Sequence, residues 1–188
     1  MSATRRIGLR TRARIVATGA SAAVLALWLF ACSDSDGRDA STPEGKASIT
    51  LLRAAEDGDV DRARAALAAG ADLEVRDRSG RTPLLVATRA NAASTAIFLL
   101  DAGADPNAAD NIKDSAFLYA GAEGLDEILR ATIEHGADVT STNRYGGTAL
   151  IPASEHGHVS TVRILLDAGV PVNHVNNLKW TALHEAIV

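Results

Sequence analysis

The sequence repeats itself every 33 residues from about residue 70 to its end. Three series of residues keep this period. The first series is a glycine that is followed by Ala-Asp in three of its four copies: Gly70, Gly103, Gly136 and Gly169. The other two series are hydroxyl and large apolar residues: Thr82, Ser115, Thr148 and Thr181, and Leu84, Phe117, Leu150 and Leu183. A period of about 20 to 50 residues indicates stacked structural units that bury their apolar sides against their neighbours.

Each repeat is predicted to hold two short helices. In the second copy the first helix covers about residues 83–89, with Thr82 as its N-cap and Pro83 at the first position, which proline tolerates. The second helix covers about residues 93–102 and ends at Gly103, which suits a left-handed cap. The apolar residues predicted to face inward from the second helices are Ile97, Leu99 and Leu100; Ile128, Leu129 and Ile133; and Val162, Ile164, Leu165 and Leu166.

The composition agrees with helices in close contact. The chain is 47% hydrophobic but only 4% aromatic, so its core must be aliphatic. Small side chains at the repeat period would let neighbouring first helices approach one another closely. The alanines in this series are Ala54, Ala87, Ala120 and Ala153.

The repeated residues resemble the ankyrin repeat. The matching segments are Gly-Arg-Thr-Pro-Leu at 80–84, Asp-Ala-Gly-Ala-Asp-Pro-Asn at 101–107, Gly-His at 157–158 and Thr-Ala-Leu-His at 181–184. The resemblance implies an all-α fold, an α-solenoid of about four and a half helix-turn-helix units joined by hairpin turns. The implied domain covers residues 48–188, with units near 48–77, 78–110, 111–143 and 144–176 and a partial unit at 177–188.

The units are not identical. The first unit lacks its turn and is highly charged, as an N-terminal cap requires. In the third unit Lys113 replaces the turn glycine. The fifth unit stops after its first helix, from which we expect the chain to be an incomplete fragment; an exposed apolar end is the alternative. Residues 143–153 and 173–183 are similar to segments of exported bacterial ankyrin repeat proteins.

The first 31 residues predict export. Their charged residues are all basic: Arg5, Arg6, Arg10, Arg12 and Arg14. An uncharged apolar run follows from 15 to 31, and such a run after a basic start is typical of a secretory signal peptide, here residues 1–31. Because a membrane span needs roughly 20 apolar residues, a retained signal anchor is the alternative.

The segment Leu-Phe-Ala-Cys at 29–32 resembles the lipobox of bacterial lipoproteins. In that family the cysteine sulfur carries a diacylglyceryl group, which implies that Cys32 anchors the chain to a membrane. The implied location is the periplasm or the cell exterior. A buried, apolar cysteine is the alternative role. Residues 33–47 are rich in Ser, Asp, Gly and Pro, so residues 32–47 are predicted to form a lipid anchor and a flexible tether.

No pattern of catalytic or metal-binding chemistry stands out. His156 and His158 are spaced like a metal-binding pair, but His158 and His184 occupy ankyrin positions whose histidines order turns in that family. The single cysteine excludes an internal disulfide, and there is neither a Gly-x-Ser-x-Gly elbow nor a phosphate loop. The charge is +5 up to residue 31 and -9 beyond it, which opposes nucleic-acid binding. We predict no enzyme activity, cofactor or metal; a site assembled from separated side chains is the alternative.

Stacked units are expected to present a concave face made of turn tips and first helices. Protein interfaces gain most of their binding energy from Tyr, Trp and Arg. Tyr145 and Trp180 stand at turn tips, where they could bind a partner. Packing against neighbouring tips is the alternative role for both. The residues predicted to bind protein are Arg78, Arg81, Arg89, Ile112, Asp114, Glu123, Arg144, Tyr145, Glu155, Leu178 and Trp180. The predicted function is a monomeric, non-catalytic scaffold for an unknown protein partner. The alternative is an accessory or inhibitory partner of an extracytoplasmic enzyme of the stress or toxin–immunity type.

Overall fold

Helices recur at the repeat period throughout the described chain. The computed structural model describes residues 41–187. The helices in this range are α1 (Pro43–Asp57), α2 (Val60–Ala68), α3 (Pro83–Arg89), α4 (Ala93–Asp101), α5 (Ala116–Glu123), α6 (Asp126–Glu134), α7 (Leu150–Glu155), α8 (Val159–Asp167) and α9 (Ala182–Ile187). The helix predicted over 83–89 is confirmed, and the one predicted over 93–102 ends one residue earlier, with Ala102 as its cap.

Side-chain caps begin α3 and α5, one repeat apart. The Thr82 side-chain oxygen accepts a hydrogen bond from Leu85 N–H at 3.3 Å, and Ser115 accepts one from Leu118 N–H at 3.3 Å. At the end of α4, the second helix of the second unit, Gly103 takes the left-handed conformation with φ 97°, as predicted. These two hydroxyl residues and Gly103 therefore mark where first helices begin and a second helix ends, whereas α7 begins after Ala149 without a side-chain cap and the Thr148 hydroxyl has no hydrogen-bond partner among residues 41–187.

The helices form two layers. The first helices α1, α3, α5, α7 and α9 pack in sequence against one another, and the second helices α2, α4, α6 and α8 do the same. Ala54, Ala87, Ala120 and Ala153 are each fully buried. No strand occurs among residues 41–187, and the all-α repeat architecture predicted from the sequence is confirmed.

The tether predicted over 33–47 is too long at its C-terminal end, because α1 begins at Pro43. Thr42 caps the helix by accepting a hydrogen bond from Gly45 N–H at 2.9 Å, and proline at the first helical position is compatible with this start. Ala47 is buried, and Ser48 accepts a hydrogen bond from Asp72 N–H at 2.9 Å. Residues 43–47 therefore belong to the first unit.

The inward stripe predicted for the second helices is confirmed in part. Leu99, Ile128, Leu129 and Leu165 are fully buried, but Leu166 is 42% exposed. Its counterpart two units earlier, Leu100, is buried inside the stack, and the counterpart one unit earlier, Ile133, is partly buried. Within residues 41–187 no second helix follows α9, so nothing in that range covers Leu166. The same reason accounts for the exposure of Leu183 and Ile187 on α9.

The signal peptide over residues 1–31, Cys32 and most of the tether lie outside the described residues. Of the helices between residues 41 and 187, none combines the length and the apolar character that crossing a membrane requires.

A close approach between two first helices leads to a test of the stacking. A Cβ on Gly121 in α5 would lie 2.7 Å from the Cβ of Ala149, next to α7. Replacing an interior helix glycine with alanine normally stabilises a helix by about 0.5–1 kcal/mol. We expect Gly121→Ala to destabilise the protein by about 1–3 kcal/mol instead, because the added methyl overpacks this contact. Urea denaturation followed by circular dichroism measures the change.

The partner substitution supplies the control. In the double variant Gly121→Ala with Ala149→Gly the clash is removed, so its free energy of unfolding should exceed the value expected from adding the two single effects. Additive effects, or a Gly121→Ala variant as stable as the parent, would contradict the close approach.

Candidate functional site

The hairpin tips between units share one hydrogen-bonding pattern. Asp77 Oδ1 accepts from Ser79 N–H at 2.8 Å and from Arg81 N–H at 2.9 Å. Asn176 Oδ1 accepts from Leu178 N–H at 2.9 Å and from Trp180 N–H at 3.0 Å. Asp and Asn favour turns because their side chains can bond nearby backbone in this way. The four residues with this role, at the repeat period, are Asp77, Asp110, Asn143 and Asn176.

Two pairs of neighbouring tips are joined through their backbones. Asn111 N–H donates to Ser79 O at 3.1 Å, and one pair further on Asn177 N–H donates to Tyr145 O at 3.0 Å. The tip glycine before each joint leaves room for the asparagine, since a Cβ on Gly146 would lie 2.7 Å from Asn177 Oδ1.

The middle pair of tips is joined differently. Lys113 takes the glycine position with φ 66°, and Arg144 takes the asparagine position. Among residues 41–187 no backbone bond links Ile112 to Arg144 in the manner of the other two joints. Instead Arg144 Nη1 lies 3.5 Å from Asp114 Oδ2. The joint between these two tips, which we call the middle tip step, therefore depends on an ion pair.

A groove of about 580 Å³ lies on the face that carries this step. Its floor is made by α5 and α7, which contribute Leu118, Tyr119, Ile151 and Pro152. Along the tips, three apolar side chains at the repeat period line it. They are Ile112, Tyr145 and Leu178, which are 47%, 54% and 67% exposed. Large apolar groups thus meet water in a row along one side of the groove.

Two arginines converge on one carboxylate at the groove. Asp114 Oδ2 lies 3.9 Å from Arg89 Nη1 and 3.5 Å from Arg144 Nη1. Each guanidinium also stacks on a tyrosine, Arg89 at 4.4 Å from the ring centre of Tyr119 and Arg144 at 4.7 Å from that of Tyr145. Burial raises the pKa of Asp114, and the attraction of Arg144 offsets this only in part. The cluster orders both arginines on the groove surface.

Glutamates occupy the opposite side of the groove. Glu123 is the last residue of α5 and Glu155 the last of α7, and both side chains are exposed. Next to Glu155, His156 Nδ1 lies 2.8 Å from the carbonyl oxygen of Ala122 in the neighbouring unit. The helix ends are therefore linked across the stack, and their carboxylates face solvent.

The structure brings eight of the eleven residues predicted to bind protein into this groove. They are Arg89, Ile112, Asp114, Glu123, Arg144, Tyr145, Glu155 and Leu178. Arg81 lies outside and holds its own turn, with Nε at 2.7 Å and Nη2 at 2.6 Å from Asp77 Oδ2. Arg78 and Trp180 are exposed beside their tips and do not line the groove. The binding role of all eleven stays a prediction.

Several groove residues were missing from the sequence prediction. Tyr119 and Glu185 line the groove at equivalent positions, two units apart. Tyr119 ends the segment Ser-Ala-Phe-Leu-Tyr, which departs from the Thr-Pro-Leu-His pattern and could have marked a functional position. Asn143 and Asn176 also line it, and their 33-residue spacing is visible in the sequence.

The histidines mostly contact the backbone or a neighbouring side chain. His174 Nε2 lies 2.6 Å from Gly146 O, and His184 Nδ1 lies 2.8 Å from Thr181 Oγ1. The His158 ring makes an edge contact with the His156 ring at 5.7 Å between centres. Among residues 41–187 no three His, Cys, Asp or Glu side chains come together in a way that could hold a metal ion.

The raised pKa of Asp114 predicts an unusual pH dependence of stability. Because folded Asp114 holds its proton to higher pH than the unfolded chain, its contribution to stability falls as pH rises from near 3.8 through the raised value. As the pH rises from about 4 to about 7, the urea concentration at the unfolding midpoint of the parent should therefore fall relative to that of the Asp114→Asn variant.

Asp77 is the matched control for this measurement. Burial alone would raise the pKa of Asp77, but hydrogen bonds from Arg81 and Ser79 outweigh it and lower the pKa. Its contribution is therefore lost as the pH falls from about 5 through the lowered pKa, and the difference between the parent and Asp77→Asn should stay nearly constant between about pH 5 and pH 7. If the parent instead gained stability relative to Asp114→Asn as the pH rose, the raised pKa of Asp114 would be contradicted.

Comparisons with known proteins agree with the repeat architecture. A family model of ankyrin repeats, in three copies, matches residues 16–110 and 117–188. The crystal structure of an ankyrin repeat domain from Acinetobacter baumannii is similar, with 59% sequence identity and a TM-score of 0.72 over 73% of this chain and 70% of that chain. No curated protein matches the chain.

The resemblance stated from the sequence is thereby confirmed for the repeats. Ankyrin repeats generally mediate protein–protein interaction, and members of the family are typically non-catalytic scaffolds. The chain belongs to the ankyrin repeat family.

Proposed function

We propose that this protein is a non-catalytic scaffold that binds a partner protein in the groove across α5 and α7. We further propose that it does so outside the cytoplasm, as a lipoprotein anchored through Cys32. The first part draws its support from the groove, and the second from the pattern of the first 32 residues.

The exposed row of Ile112, Tyr145 and Leu178 is the observation that carries the binding proposal. Exposed apolar groups that adjoin one another in a concave surface are typical of interaction sites. Tyr145 combines an apolar ring with a hydroxyl and is held under Arg144 at 4.7 Å. Such ordered aromatic and arginine groups are the types that dominate interface energies, because little side-chain entropy remains to be lost on binding.

The surroundings of Asp114 support a binding role for this residue over a catalytic one. A general base needs a carboxylate with free access to a substrate proton. Asp114, the half-buried carboxylate of the groove, points one oxygen at two guanidinium groups instead. The arrangement fixes the shape and charge of the surface, which is what a docking site requires.

The N-terminal pattern supports display on a membrane. A basic start, an apolar run and the Leu-Phe-Ala-Cys segment precede Thr42, the cap of the first helix. Ten residues separate the Cys32 position from this helix, and a fully extended chain of that length spans at most roughly 35 Å. A lipid on Cys32 would hold the repeat domain close to the membrane surface.

Substitution of the anchor cysteine tests the location. We expect Cys32→Ser to move the protein from the membrane fraction to the soluble extracytoplasmic fraction, because a serine oxygen cannot take the place of the lipidated sulfur. Cell fractionation and metabolic labelling with a tagged fatty acid measure the change, with Ser33→Ala as control. An unlabelled parent, or a variant that stays in the membrane, would favour a retained signal anchor.

Photo-crosslinking tests the binding role of the groove. A photoreactive amino acid at Leu178 should capture a partner in cells, and Tyr145→Ala should reduce the captured amount about tenfold or more, as expected for a central aromatic contact. Val159→Ala is the control, because this exposed apolar residue begins α8 and does not line the groove. Circular dichroism should remain helical in both variants. Equal capture by the parent and Tyr145→Ala would refute the proposed site.

A further inference from the structure

We infer that the groove accepts a partner segment in extended conformation whose side chains alternate between apolar and basic. The inference rests on the proposed binding function and specifies the chemistry of the partner. It follows from the different character of the two sides of the groove and from charges that the protein leaves unbalanced there.

The tip side of the groove is apolar. Ile112, Tyr145 and Leu178 are spaced by one repeat each, so they stand in successive layers of the stack. Neighbouring helices lie about 8–10 Å apart, and the row therefore covers roughly 16–20 Å. An extended chain advances about 3.3 Å per residue, so about six residues would follow the whole row.

The opposite side is acidic. Glu123 and Glu155 end α5 and α7, where a negative charge opposes the helix dipole and is destabilising. Among residues 41–187 neither carboxylate has a basic group within the 4.0 Å of an ion pair. Helix stability therefore does not explain these two glutamates. A basic partner side chain would complement both of them.

The groove arginines do not cancel this charge. Arg89 and Arg144 are drawn to Asp114, at 3.9 and 3.5 Å. The groove is lined by four carboxylates, those of Asp114, Glu123, Glu155 and Glu185, and by two guanidinium groups. An excess of negative charge therefore remains, on the side away from the apolar tips.

An extended segment matches two such sides because its successive side chains point in opposite directions. The two sides are separated by the length of α5, whose eight residues rise about 12 Å. A backbone between them can direct apolar side chains to Ile112, Tyr145 and Leu178 and basic ones to Glu123 and Glu155. An acidic segment would instead meet uncompensated carboxylates.

Three labelled hexapeptides with blocked termini test the inference by fluorescence anisotropy on the purified full chain. They alternate Lys with Leu, Glu with Leu, and Lys with Ser. We expect the Lys-Leu peptide to bind at least about fivefold more tightly than either of the others. If the Lys-Ser peptide bound as tightly as the Lys-Leu peptide, the apolar tips would have no role. If the Glu-Leu peptide bound more tightly than the Lys-Leu peptide, the groove would prefer acidic side chains to basic ones. Either result overturns the inference. No binding of the Lys-Leu peptide also overturns the inference.

Matched charge variants separate groove binding from general attraction to an acidic protein. The double variant Glu123→Gln with Glu155→Gln should weaken binding of the Lys-Leu peptide about three- to tenfold, since exposed ion pairs contribute modestly. The double variant Glu127→Gln with Glu134→Gln changes the same charge at exposed sites on α6 outside the groove, and should change affinity less than twofold. Equal effects of the two double variants would overturn the inference.

The outcome can be told apart from that of the proposed function. If photo-crosslinking at Leu178 captures a partner in a Tyr145-dependent manner while the Lys-Leu peptide fails, the scaffold function stands and the basic–apolar chemistry is wrong. If capture at Leu178 does not depend on Tyr145 and the Lys-Leu peptide does not bind, both are wrong.

Discussion

The contact between successive first helices is the interaction on which the rest of the structure depends. Ala87, Ala120 and Ala153 are fully buried at this contact, and Gly121 brings α5 against the start of α7 with no space for another methyl group. Neither helix of a unit could bury its apolar side alone, so each layer is stable only because its neighbours cover it. The close approach also sets the distance between successive hairpin tips, and thereby aligns Ile112, Tyr145 and Leu178 into one row.

Much of the fold could be predicted because periodic burial leaves a periodic sequence. The caps at Thr82 and Ser115 and the left-handed Gly103 are local requirements that few residue types satisfy, so they are visible without a structure. The beginning of α1 could not be predicted in this way. Residues 43–47 are mostly small or polar, and the helix they begin is tied to the turn after α2 by a bond from Asp72 N–H to Ser48, 24 residues apart in the chain.

The candidate site could be predicted in position but not in detail. The repeat phase places tip residues on one face, and so eight predicted residues do line the groove. It does not say whether a charged tip residue faces the groove or its own turn. Arg81 and Arg89 are both arginines of the second unit, yet Arg81 pairs with Asp77 four residues away whereas Arg89 reaches Asp114 in the next unit. That difference depends on side-chain geometry across units, which a period alone does not contain.

The middle tip step has a consequence for how the groove responds to its surroundings. Backbone hydrogen bonds join the tips on either side of it, but here Lys113 and Arg144 replace the glycine and asparagine, and the connection is the ion pair between Arg144 and Asp114. Salt screens partly exposed ion pairs and leaves backbone hydrogen bonds almost unaffected. Ionic strength therefore acts on this one joint of the tip row more strongly than on its two backbone-bonded neighbours, so salt is a means of loosening the row at a single, known place.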